Sequence, residues 1–146
     1  MKSLRTECVL PYPINMVWEV ISDTEKHALW NPQIVSIKGK CSKGSSLSVC
    51  VRSPIGGGLP FRFKASVKDF DQRKKLAWTG GVPRLLTGYH YWELTDLGEQ
   101  TQVVQGEVFT GLFTSVLSQK RIDSMLPSYE SANTGLEDYL KKIKKG

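Results

Sequence analysis

The chain has 146 residues, 40% hydrophobic and 23% charged, with a formal net charge of +6. That size fits one domain, residues 1–146, able to bury roughly two-thirds of its unfolded surface without covalent staples. No run is long and apolar enough for integral membrane association, and three cysteines without C-x-x-C spacing argue against a disulfide framework or a zinc site and for a reducing, cytoplasmic setting.

The opening "MKSLRTECVLPYP" has no apolar signal core, which argues against secretion. Its "KSLRTECVL" alternates as a first strand, with Leu4, Thr6, Cys8 and Leu10 on one face and Arg5 and Glu7 on the other. Pro11 and Pro13 stop that strand, and Pro13 suits the first turn of a helix. Ile14, Val17, Trp18 and Ile21 then recur at helical spacing. "SDTEKHALW" predicts a second short helix or turn, ended by "WNP", because a residue before proline avoids the helical region.

From residue 33 the period becomes two, predicting strands near 33–40, 46–53, 60–71, 74–81, 86–96 and 100–110. The joining segments "KCSKGSS", "PIGGGLP", "DQRKK", "GVPRLL" and "DLGEQ" are hairpin-like, so the strands form an antiparallel meander. Gly56–Gly58 reads as a flexible hairpin at a cavity rim; no helix follows it to present N–H groups to a phosphate. After "FTGLF" the helical period returns as one stripe: Ile122, Leu126, Tyr129, Asn133, Leu136, Leu140 and Ile143. Pro127 predicts a kink or a new segment inside it, and Gly135 weakens it. The closing "KKIKKG" is either an attraction for an anionic surface or lysines favoured by the helix dipole and solubility. No finger, basic zipper or aromatic RNA-binding strand is present, so no nucleic-acid partner is implied.

A seven-stranded antiparallel sheet with one apolar face needs a cover, and the terminal helix is the only element large enough. A curved sheet wrapped on a helix leaves space between them. Strand parity says what faces that space. In "LPFRFKASVKDF", Phe61, Phe63, Ala65 and Val67 face inward. In "GYHYWEL", His90, Trp92 and Leu94 share the core face, with Tyr89, Tyr91 and Glu93 outside. In "VVQGEVF", Gln105, Glu107 and Phe109 share a face, and Leu76 and Trp78 go together in "KLAWTG". Tyr129 and Asn133 join them from the helix. An inward imidazole and carboxylate cost free energy unless paired. They are ligand anchors, a structural pair or an acid/base pair. A third metal ligand is missing, because His27 lies in a loop elsewhere. No serine or cysteine stands in an activated nucleophile context.

Five stretches, "PYPINMVWEVISDTEKHALWNP", "LAWTGG", "GYHYWEL", "TQVVQGEVFTG" and "NTGLEDYLKK", resemble in order and spacing the SRPBCC superfamily. These are the START and Bet v 1-like helix-grip proteins, and the likeness is to small bacterial polyketide cyclase/dehydrase-like single-domain members. The resemblance implies an α+β helix-grip fold: a seven-stranded curved antiparallel sheet around a long C-terminal helix, with two short helices between strands 1 and 2. The place of the plant members' glycine-rich loop reads "CSKGSS", with one glycine. No iron or Rieske ligand set is present, which excludes the oxygenase branch, and no cofactor is implied.

The fold hosts lipid carriers, hormone receptors and cyclases alike, so function is read from the site. The expected partner is a small hydrophobic, lipid- or polyketide-like molecule. Its expected contacts are Trp30, Phe61, Phe63, Trp78, His90, Trp92, Glu107, Phe109, Met125, Tyr129 and Asn133, with His90, Glu107 and Asn133 orienting it. Trp18 is read as structural. A rival is a cyclase or dehydratase using His90 or Glu107 as acid/base. A third reading is a protein-interaction module using the outer sheet face or the triple-glycine loop.

Overall fold

The alternating and helical stretches fold, in a computed structural model that describes residues 1–52 and 59–145, into a strand, two helical segments, six strands and a terminal helical region. These are β1 (Lys2–Leu10), α1 (Ile14–Ser22), a 3-10 helix (Thr24–Leu29), β2 (Ile34–Lys38), β3 (Ser46–Arg52), β4 (Pro60–Asp71), β5 (Lys75–Val82), β6 (Leu86–Asp96) and β7 (Thr101–Thr110). A 3-10 turn (Leu112–Ser115), α2 (Gln119–Asp123) and α3 (Leu126–Lys145) follow. The triple-glycine hairpin expected at Gly56–Gly58 lies outside the described residues.

β2 to β7 form the expected meander, and β1 returns beside the last strand, giving the order β1-β7-β6-β5-β4-β3-β2. Every pairing is antiparallel. α1 and the 3-10 helix therefore carry the chain from one sheet edge to the other. Pro13 precedes α1 rather than opening it, and its carbonyl accepts from the amides of Met16 and Val17. No helix among the described residues is long and apolar enough to cross a membrane.

Inward parity holds along β4 as far as Val67, which pairs with Trp78. Asp69 then pairs with Ala77, so Lys68 is a bulged extra residue. The bulge turns Phe70 inward against Trp18, with ring centroids 5.5 Å apart. It leaves Asp69 on the outer face, accepting from the Tyr89 hydroxyl. Without it, alternation would bury the carboxylate and expose the ring.

The terminal stripe is not one helix. Pro127 stands in the first turn of α3, where its missing N–H costs nothing. The break before it separates Ile122 and Met125, which pack with Leu4 and Phe109, from the main core at Ala132, Leu136 and Leu140. Ile143, expected in the stripe, is exposed. Gly135 has a use that helix propensity does not reveal. A Cβ there would run into the carbonyl oxygen of Trp30, so its absence lets α3 lie directly on the loop after the 3-10 helix.

Candidate functional site

Contact between α3 and the sheet is tight at the Leu136–Leu140 end and open at the other. Between the first turns of α3 and the inner faces of β3 to β7 lies a cavity of about 420 Å³, within the range of small-molecule sites. Met125, Ser128, Tyr129 and Ala132 roof it, while Val49, Val51, Phe61, Phe63, Trp78 and Phe109 supply most of its walls. Two inward-facing glycines help make the room. A Cβ on Gly80 would strike the Phe63 ring, and one on Gly88 would strike the Glu107 carboxylate. Phe61 and Val82 line the cavity yet are half exposed, which marks this end as the mouth.

The cavity's polar end is a three-residue cluster. His90 and Glu107 are directly paired across β6 and β7, and Nδ1 lies 3.2 Å from Oε1. The Tyr129 hydroxyl, descending from α3, donates to the same oxygen. Burial, then the Glu107 charge and this hydrogen bond, hold the Tyr129 phenol well above its ordinary range, so it stays a donor. Oε2 has no hydrogen-bond partner among the described residues and lies over Gly88. A carboxylate accepting on one oxygen and free on the other can receive a hydroxyl or amine from a ligand.

The inward imidazole is thus paired on its nitrogen and stacked on its face. The His90 ring lies 5.2 Å from Trp78 at an interplanar angle of 25° and meets the edge of Trp92 at 6.0 Å. The aromatic contacts close on themselves: Trp92 on Trp30 at 5.5 Å, Trp30 on His27 at 4.7 Å, and His27 back to Trp78 at 6.1 Å. His27 is therefore not in a remote loop. It is fully buried in the 3-10 helix, and its Nε2–H donates to the carbonyl of Ile21 at 2.6 Å. Nδ1 has no partner among the described residues, and burial lowers the ring's pKa to about 4.

Of the residues expected at the site, Phe61, Phe63, Trp78, His90, Glu107, Phe109, Met125 and Tyr129 line the cavity. Trp30, Trp92 and Asn133 do not. Trp30 and Trp92 fill the space behind His90 edge to face, their indole nitrogens buried without partners among the described residues. Asn133 is consumed by a polar layer. It accepts from Gln105 Nε2 at 3.0 Å and donates to the Thr6 hydroxyl at 2.9 Å, which donates to the Gln105 carbonyl. Gln105 also donates to the Tyr129 carbonyl, pinning α3 above the cavity edge. Gln105 lines the cavity, and its shared parity with Glu107 was the signal for it. Asn31, Gln33 and Arg52 line it too. The first two sit in an aperiodic turn, and nothing in strand parity distinguishes the third. Trp18 is buried against Phe70, away from the cavity, as expected. Among the described residues, no three His, Cys, Asp or Glu side chains are placed to hold a metal ion.

The sequence model of the Activator of Hsp90 ATPase homolog 1-like protein family matches residues 11–145. No curated protein matches the chain. Among solved structures, a START superfamily protein from Mycobacterium smegmatis is 14% identical with a TM-score of 0.75, covering 97% of this chain and 98% of its own. The Zhui aromatase/cyclase from a Streptomyces species is 15% identical with a TM-score of 0.72, covering 97% and 94%. A protein from Thermus thermophilus is 18% identical with a TM-score of 0.75, covering 97% and 99%. These likenesses show the fold, the START-like helix grip expected from the sequence.

Proposed function

This chain belongs to the Activator of Hsp90 ATPase homolog 1-like family, and on that premise we propose that it binds a small, largely apolar molecule between the sheet and α3. The observation that carries the reading is a cavity of about 420 Å³ with aliphatic and aromatic walls and one clustered polar end. Apolar walls supply affinity at roughly 25 cal/mol per Å² of ligand surface removed from water. Glu107 supplies orientation, held by Tyr129 and His90 and offering Oε2 to a hydroxyl or amine on the ligand. A second reading, proton transfer on a polyketide-like substrate, rests on the same cluster. A carboxylate between an imidazole and a protonated phenol has the components of acid/base chemistry.

Tryptophan emission tests the binding reading. Trp78 lines the cavity, Trp92 lies buried behind it, and Trp18 faces elsewhere. Titration with fatty acids, isoprenoids, flavonoids and steroids should shift emission with saturation at one ligand per chain, and Trp78→Phe should remove most of the change. An emission spectrum unmoved by every class would defeat the proposal.

A further inference from the structure

The cavity mouth is also where large exposed apolar side chains collect. The turn from β5 to β6 carries Val82 and Leu85, and the 3-10 turn after β7 carries Leu112 and Phe113, with Val116 just beyond. Backbone hydrogen bonds join the two turns: Leu112 N–H donates to the Arg84 carbonyl at 2.9 Å and Phe113 N–H to the Leu85 carbonyl at 2.8 Å. Leu112 is 73% exposed and Val116 77%, so these two side chains project from the end of the molecule rather than lining the cavity. Arg84, Lys120 and Arg121 accompany them, all exposed, and residues 82–86 and 111–122 contain no Asp or Glu. None of the ion pairs among the described residues uses these cations. Asp123, the next carboxylate along the chain, accepts from Gln119.

Projecting apolar tips flanked by unpaired cations match the boundary of an anionic bilayer, where hydrocarbon lies beneath negative headgroups. A second copy of the same face would set like charges against each other. We propose that this rim docks on an anionic lipid surface, with the cavity mouth opening toward the headgroups. The surface stands independently of the ligand reading, since the exposed tips and their charges do not depend on what fills the cavity.

Vesicle co-sedimentation tests it with phosphatidylcholine alone and with an equal share of phosphatidylglycerol. The full chain should bind the anionic vesicles only, and less at high salt. Lys120→Glu/Arg121→Glu should weaken binding at least about tenfold, since each surface cation contributes on the order of fivefold. Leu112→Asp/Val116→Asp should weaken it comparably. Both pairs are exposed, so their thermal transitions should match wild type. Lys141→Glu/Lys142→Glu/Lys144→Glu, at the far end of α3, should leave binding nearly intact. Three results would overturn the proposal: no binding to either vesicle, loss of binding in the tail variant alone, or a solution dimer that the rim variants dissolve. Failure to bind vesicles with ligand uptake preserved would remove the docking surface and leave the cavity reading standing.

Discussion

Lowering the pH should destabilise this domain through His27. Its ring is fully buried, with Nε2–H committed to the Ile21 carbonyl and Nδ1 without a partner among the described residues. A second proton would place a charged N–H where nothing accepts it. Burial accordingly lowers the pKa from 6.5 to about 4, with the nearby His90 also opposing the charge and the Ile21 carbonyl and Asp23 favouring it. Because the folded pKa is depressed, the unfolded chain binds the proton more readily between these values. The stabilisation is fully present above the unfolded pKa and is lost as pH falls toward the folded one. The whole span is worth about 3 kcal/mol, of which about 2 kcal/mol should be lost between neutrality and about pH 5. Denaturant unfolding across that range measures it. His27→Leu should be less stable at neutral pH, because the Ile21 carbonyl loses its donor, yet its stability should depend less on pH by about that amount. Parallel pH profiles for wild type and variant would refute this assignment.

Gly135→Ala sets helix propensity, which favours alanine by about 1 kcal/mol, against overpacking, which costs about 1–3 kcal/mol. The obstacle is a backbone carbonyl that no rotamer can move aside, so a lower melting temperature is expected. A raised one would show that α3 can lift from Trp30 freely. Glu107→Gln and His90→Ala should lower ligand affinity by about 1–3 kcal/mol while uptake persists. A roughly hundredfold or greater loss of turnover with binding intact, on any substrate found, would favour the catalytic reading instead. A chain ending at Arg121 should show no cooperative thermal transition, because Leu136, Leu140 and the rest of the sheet's cover are gone. A sharp transition would contradict the core assignment.

Much of this structure was legible because period and parity are local. The Phe61–Val67 alternation identified the inner face, and through it the pairing of His90 with Glu107. What escaped depends on contacts between distant segments. The bulge at Lys68 leaves no mark in the alternation until Phe70 must choose a side. Trp92 and Asn133 share faces with cavity residues but lie further along their elements, where α3 is pressed to the sheet. There Trp30 covers one, and Thr6 and Gln105 satisfy the other. The packing role of Gly135 and the buried place of His27 escape a local reading for a related reason. A glycine's closeness to another backbone, or an imidazole's burial against Trp30 and Trp78, becomes visible only when the sheet closes on the helix.

Native mass spectrometry of freshly purified protein, with organic extraction of whatever it carries, tests the central claim most directly. Ser128→Phe, which would place a ring in the cavity from its roof, serves as the comparison. Wild type should carry, or take up from the ligand panel, one apolar molecule per chain, and Ser128→Phe should carry none while keeping its fold. A wild-type mass that no class of ligand alters, or equal uptake by both proteins, would contradict binding in the space between α3 and the sheet.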